Sequence, residues 1–242
     1  MKTLDDVLGY SIKIYQNREW FCFSLDSVLL ANFATIKYST KKIIDLGTGN
    51  GIIPLILSLR TKSKIEGVEI QNDLVNLAIE SVKYNQLDDQ IFIKNIDIKE
   101  LKNEKNLYNT YDLVLTNPPY FKDLAASTKN LDFHKTIARH EIKINLSEII
   151  QVASLLLKDG GTFSMINRTD RLVEMIELFK KNNIEPKKIK FIYKNTLSES
   201  TMVYVEGLKN GLPGLKILSP FFVYNLDGTD SSEYSEICKK VL

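Results

Sequence analysis

The sequence predicts an α/β fold: a mostly parallel sheet of seven strands, with helices on both faces and one antiparallel strand. Three observations predict it. From Lys42 onward, short apolar runs of strand length alternate with longer segments of helical period. The runs KIIDLG, KIEGVEI and YDLVLT are apolar through most of their length, as strands covered on both faces must be. Near the end, KKIKFIY and TMVYVEGL follow one another without a helix between them, so one of the two runs antiparallel.

The elements follow in order. YSIKIYQNREWFCF alternates and is rich in aromatics, which reads as short strands or a hairpin. SLDSVLLANFA reads as a helix starting near Ser24, with Val28, Leu29, Leu30 and Phe33 at helical spacing. After the strand KIIDLG, the segment IIPLILSLR is a helix apolar all round and hence deeply packed. Its Pro54 falls in the first turn, where a missing N–H costs little. KIEGVEI is the second strand, and NDLVNLAIESVKYNQ is an amphipathic helix with Leu74, Ala78 and Val82 on one face. IFIKNID and YDLVLT are the third and fourth strands. LSEIIQVASLLLKDGG reads as a helix stopped by its two glycines, and GTFSMIN as the strand after it. The helix DRLVEMIELFKKNN precedes the last two strands.

Composition bounds the rest. At 242 residues the chain suits a single domain: an extension over 1–40, a core over 41–210 and a tail over 211–242. No run of 18 apolar residues predicts a membrane span, and MKTLDDVLGY lacks the pattern of a secretion signal. Cys22 and Cys238 form no redox-like or metal-like pair, which points to a cytoplasmic location. With His134 and His140 the only histidines, a multi-histidine metal site is not expected, nor is an obligate protein partner evident. Net charge is +2, unevenly placed. Residues 45–120 hold 8 basic and 11 acidic side chains, against 5 and 3 in residues 121–143 and 10 and 7 in residues 180–242. Such a distribution suits a polyanion-binding rim, and equally a set of solvated faces.

Ligands of such a sheet bind beyond the carboxyl ends of its strands. There the first strand runs into Asp45-Leu46-Gly47-Thr48-Gly49-Asn50-Gly51. Glycines at 47, 49 and 51 permit positive φ and close approach of a ligand to backbone N–H groups, beside a helix N-terminus. Glu69 ends the second strand, placed to accept hydrogen bonds from a ribose diol or simply to face solvent. Asp97 follows the third strand, where it either accepts from an adenine amine or caps the helix starting IKEL. Ile70 and Ile98, directly after those acids, complete the candidate cofactor set. A nicotinamide dinucleotide is the neighbouring reading, but its fingerprint is G-x-G-x-x-G. The pattern D-x-G-x-G-x-G favours an adenosyl group carried on methionine, with no pyrophosphate to cradle.

The fourth strand ends in Asn117-Pro118-Pro119-Tyr120, followed by Phe121. An amine on an aromatic ring or carbonyl is a poor nucleophile, because its lone pair is delocalised. Acceptance of its two N–H groups by the Asn117 side-chain oxygen and the Pro118 carbonyl draws the nitrogen toward a tetrahedral shape. Proline at 118 and 119 fixes the direction of that carbonyl. Tyr120, with Phe121 behind it, offers a face on which a base can stack. A stiffened turn with core aromatics is the plainer alternative.

IIDLGTGNG, GVEI and TNPPY together resemble the class I S-adenosylmethionine-dependent methyltransferases that act on amino groups. The resemblance implies a Rossmann-like class I methyltransferase fold and S-adenosyl-L-methionine as cofactor. It also implies catalysis by Asn117, Pro118, Pro119 and Tyr120, with Asn117 touching the cofactor as well. FSLDSVLLANFA, ARHE (138–141) and PGLKILSPFFVYN resemble one subgroup, the bacterial tRNA adenine-N6 methyltransferases that act next to the anticodon of valine tRNA. That subgroup implies tRNA as partner and Asp26 near the methionine end of the cofactor, although a first-turn acid also suits the helix dipole. It implies too that residues 121–143 order over substrate, with Lys122, Lys135 and Arg139 meeting phosphate; a surface loop is the alternative. Guanine N2, cytosine N4 or adenine N6 in ribosomal RNA, a release-factor glutamine amide, and an inactive RNA-binding relative remain open as alternatives.

Overall fold

The computed structural model describes residues 1–7, 9–17, 22–118 and 145–238. A hairpin of β1 (Lys2–Asp6) and β2 (Lys13–Asn17) opens the chain, followed by α1 (Leu25–Phe33). Next come β3 (Lys42–Leu46), α2 (Ile52–Ser58), β4 (Lys64–Glu69), α3 (Asn72–Tyr84), β5 (Ile91–Asn95) and β6 (Tyr111–Thr116). The second half holds α4 (Leu146–Leu156), β7 (Leu157–Arg168), α5 (Leu172–Lys181), β8 (Ile184–Tyr193) and β9 (Ser200–Lys209). Two-residue strands β10 (Lys216–Ile217) and β11 (Phe221–Phe222) and the helix α6 (Ser232–Cys238) close it.

The sheet order is β10-β8-β9-β7-β6-β3-β4-β5, with β11 also paired to β8. β5, β4, β3, β6 and β7 pair in parallel, and β9 runs antiparallel to both β7 and β8. The seven expected strands are thus β3 to β9, with the antiparallel one at β9. The count reaches nine among the described residues because β10 and β11 add parallel to the edge strand β8. Each is too short to register as an apolar run.

Strand alternation divides the core into two layers. Ile43, Leu113, Leu115 and Ile166 pack on one face with the buried residues of α1 and α2. Ile44, Leu46, Val114, Phe163 and Met165 pack on the other with α4 and α5. All seven residues of α2 are buried, which accounts for its lack of a polar face. The hairpin docks on α3, where the Tyr15 N–H donates to Ser81 Oγ at 2.9 Å and Lys13 N–H donates to Asn85 Oδ1 at 3.0 Å.

One expected boundary is corrected. α4 begins with a capping box, Asn145 accepting from the Glu148 N–H and Glu148 reaching back to the Asn145 N–H. It ends at Leu156, before the glycines rather than at them. Leu157 is already extended (φ −69°, ψ 138°) and pairs with Tyr111 of β6. From Leu157 to Thr162 β7 advances five residues while β6 advances two, from Tyr111 to Leu113. Gly160 (φ +70°) and Gly161 shape that bulge; a Cβ on Gly161 would lie 2.7 Å from the Lys158 carbonyl oxygen. Glycine serves both a helix stop and a strand bulge, and only the pairing partner distinguishes them.

Candidate active site

β3, β4, β5 and β6 end at one edge of the sheet, so everything directly beyond them shares one rim. The turn after β3 needs its glycines, since Gly47, Gly49 and Gly51 have φ of +77°, +57° and +86°. It is anchored to the next strand by the Gly47 and Thr48 N–H groups, both donating to the Val68 carbonyl at 2.9 Å. Gly51 has a second reason. A Cβ there would sit 3.1 Å from the Ala78 Cβ of α3.

Glu69 lies across this turn, 7% exposed. Its carboxylate accepts from the Gly49 N–H at 3.1 Å through Oε2 and from the Gln71 N–H at 2.9 Å through Oε1. Asn95, at the end of β5, donates from Nδ2 to the Glu69 and Ile70 carbonyls, both at 2.9 Å, and locks the two strand ends together. Ile70 is exposed, whereas Ile98 is buried with its Cδ1 directed at the α-carbon side of Gly47. Asp97 caps the 3₁₀ turn Ile98–Lys102, with Oδ1 accepting from the Lys99 N–H at 2.9 Å; a carboxylate has two oxygens, so the cap does not choose between its two readings.

Beneath the glycine turn lies a concentration of buried polar atoms without conventional hydrogen bonds: both carboxyl oxygens of Asp45, Thr48 Oγ1, and both amide atoms of Asn50. Such atoms are rare in folded proteins, and a cluster of them marks a place built for water or a ligand. The glycines drew notice in the sequence. Thr48 and Asn50 between them did not, although hydrogen-bonding types at alternate positions of the turn were a visible signal.

Burial pushes the Asp45 carboxyl up from 3.8 to about 7; the Thr48 hydroxyl opposes the rise and the Glu69 carboxylate adds to it. Above pH 3.8 the unfolded chain gives up this proton and the folded protein keeps it. Stability contributed by the neutral acid is therefore complete below that pH and is lost as pH rises through about 7, at about 1.4 kcal/mol per pH unit within the window. Asp45→Asn is expected to melt higher than the parent at pH 8, with the two curves converging toward pH 4. Thermal denaturation across that range checks this, and parallel curves would contradict it.

β6 meets the turn directly. β3 and β6 pair with Asp45 opposite Leu115, and the Thr116 hydroxyl donates to the Leu46 carbonyl at 2.9 Å in a buried bond. That tie joins the residue before Asn117 to the residue before Gly47. The Asn117 amide donates from Nδ2 to Ser27 Oγ of α1 at 2.8 Å. α1 thereby reaches the rim with its first turn, bringing half-buried Asp26 with it. Ser27 was overlooked in the sequence, where no local pattern marks its bond to a partner 90 residues away. Pro118 is buried at the end of the described segment. Pro119, Tyr120, Phe121, Lys122, Lys135 and Arg139 lie outside the described residues.

One more amide stands at this edge. Asn167 closes the core of β7, fully buried, with Oδ1 accepting from the Arg168 N–H at 2.7 Å and Nδ2 lacking a partner. The positive charge beyond residue 180 is partly engaged within the fold. Lys188 pairs with Glu206 at 3.0 Å and Lys190 with Glu233 at 3.6 Å. Among the described residues, no cluster of three or more His, Cys, Asp or Glu could hold a metal ion, and no helix is long and apolar enough to cross a membrane.

Residues 25–194 match the methyltransferase small domain. A protein of Christiangramia forsetii named tRNA1(Val) (adenine(37)-N6)-methyltransferase is 29% identical over 177 residues, covering 73% of this chain and 72% of its own. Proteins of the same name from Phocaeicola vulgatus and Flavobacterium johnsoniae are 32% and 30% identical, each match covering 65% of this chain and 64% of the relative, just under two thirds. Among solved structures, a predicted O-methyltransferase from Agrobacterium tumefaciens superposes with a TM-score of 0.70 at 18% identity, covering 90% of this chain and 98% of that one. Geranyl diphosphate C-methyltransferase from Streptomyces coelicolor gives 0.54 at 12% identity, covering 76% of each chain. These two establish the shared Rossmann-like fold. The family match takes in α1, the glycine turn, Glu69 and Asn117 together, and the chain belongs to the methyltransferase small domain family, enzymes that take their methyl group from S-adenosyl-L-methionine.

Proposed function

We propose that the protein methylates the exocyclic N6 amine of an adenosine in tRNA, at the position next to the anticodon of a valine tRNA. The names of the relatives support the substrate. One observation in the structure supports the chemistry: the Thr116 hydroxyl bonds the Leu46 carbonyl, so the strand end before Asn117 is tied to the strand end before the glycine turn.

In this reading the glycine turn, Asp45 and Glu69 hold the cofactor, with Ile70, Asp97 and Ile98 beside its base and Asp26 toward its methionine end. The five buried polar atoms under the turn fit a ligand with amine, carboxylate and hydroxyl groups. When bound, S-adenosyl-L-methionine supplies an electrophilic methyl group on a positively charged sulfur. Asn117 Oδ1 and the Pro118 carbonyl accept the two N–H groups of the adenine amine, which turns its lone pair toward that methyl. Pro119 stiffens the segment, and Tyr120 with Phe121 stacks the base. Lys122, Lys135 and Arg139 meet phosphate. The amine nitrogen gains a carbon, the sulfonium becomes a neutral thioether, and the surplus amine proton leaves to water.

The test supplies the purified protein with methyl-labelled S-adenosyl-L-methionine and, separately, tRNA, ribosomal RNA and release factor. Digestion of the product is expected to give labelled N6-methyladenosine from tRNA alone. Label in ribosomal RNA or in protein would refute the substrate, and label on another nucleoside would refute the target atom.

A further inference from the structure

We propose that Ser27 is a positioning residue for the methyl transfer, setting the orientation of the Asn117 carboxamide. The inference rests on the functional reading above and assigns a role to a side chain that it leaves unused.

The two ends of a carboxamide are nearly equal in size and opposite in hydrogen-bonding sense. Only one orientation serves an amine substrate. With Oδ1 toward the amine, Asn117 accepts an N–H; turned by 180° it presents donors to a donor, which repels the substrate and leaves the lone pair flat. The productive orientation must therefore give Nδ2 an acceptor on the opposite side. Ser27 Oγ is that acceptor, 2.8 Å from Nδ2 and 5% exposed, so water is a poor competitor for the place. Ser27 can act this way because it is in the first turn of α1, while Val28, Leu29, Leu30 and Ala31 behind it are buried and fix the helix. The bond spans 90 residues of sequence, between an element before the glycine turn and the strand end beyond it.

Loss of the hydroxyl removes an acceptor from the amide end and weakens the hold on its orientation. The first expectation is a fall of about tenfold in the single-turnover rate for Ser27→Ala at saturating tRNA and cofactor, the scale of one net hydrogen bond. The KM for tRNA and the cofactor affinity measured by calorimetry should stay within about twofold, because neither ligand is held by Ser27. A structural role would lower the melting temperature and weaken cofactor binding together. Ser27→Thr keeps the acceptor and is expected to recover most of the rate where it folds; Ser27→Cys keeps the size with a weak acceptor and should resemble Ser27→Ala. A second comparison avoids dependence on any one fold. Asn117→Ala has no carboxamide to orient, so adding Ser27→Ala to Asn117→Ala should cost at most about twofold, which separates the pair from two independent contributors. An unchanged rate in Ser27→Ala, or an equal penalty in the Asn117→Ala background, overturns the proposal. A parent protein inactive on tRNA but active on another amine would instead overturn the substrate and leave the Ser27 comparison measurable on that amine.

Discussion

Asn117→Ala is expected to reduce methyl transfer by about 10²–10³-fold, the usual cost of removing one preorganised polar group aimed at a transition state. The reason is local. The carboxamide sits one residue beyond Thr116, whose hydroxyl is tied to the Leu46 carbonyl, so it approaches the donor site from a fixed strand end. Alanine keeps that tie and the β3–β6 pairing, hence the turn around the cofactor should survive. It removes the proposed acceptor for the amine and, with it, the Nδ2 bond to Ser27. Cofactor affinity by calorimetry should remain within a few-fold of the parent while single-turnover labelling of tRNA collapses. A variant that turns over normally would show that the amine is activated elsewhere on the rim, and the mechanism would be abandoned.

Replacing Glu69 should do the opposite. Glu69→Ala is expected to weaken cofactor binding by about 100-fold or more, since bonds to an ionised acceptor contribute about 1.5–3 kcal/mol each. Two effects combine. The carboxylate offered to a ribose diol is lost, and so are the acceptors for the Gly49 and Gln71 N–H groups, which loosens the turn itself. Glu69→Gln keeps the length and one acceptor oxygen, so an intermediate loss of about tenfold is expected from the missing charge. Isothermal calorimetry distinguishes the three proteins, and the thermal stabilisation by added cofactor should shrink in the same order. At saturating cofactor the Glu69 variants should regain much of their rate, which the Asn117 variant cannot do. Equal affinity in all three proteins would place the cofactor away from β4.

The two sets of variants are therefore expected to carry different signatures, the Glu69 set in donor binding and the Asn117 variant in transfer. They also divide by how they were found. Both acids after β4 and β5 stood out by position alone, yet the structure treats them differently. Glu69 spans the glycine turn, while Asp97 spends an oxygen on the N–H of Lys99. Spacing puts a carboxylate at a strand end; it does not say which backbone donors claim it. The same limit explains α4. Its apolar period continues through Leu157, but pairing with Tyr111 ends the helix there, and no helical rule anticipates a partner 46 residues earlier.

Ser27 shows the limit most plainly. Its partner lies 90 residues away, so no local pattern can announce the bond. Asp45, Thr48 and Asn50 are intermediate cases: the sequence shows polar types in a tight turn, and only packing reveals that five of their atoms are buried without partners.

The sequence alone determined the alternation of strands and helices, the burial of the strands on both faces, and the glycines of the first turn. These follow from local rules: periodicity of 2 or about 3.6 residues and the φ that a missing Cβ permits. Tertiary structure alone decided which strand ends became neighbours, where α4 stopped, and that a serine in α1 would hold the amide after β6. Those outcomes depend on hydrogen-bond partners distant in the chain, which become defined only once the sheet has brought its edges together.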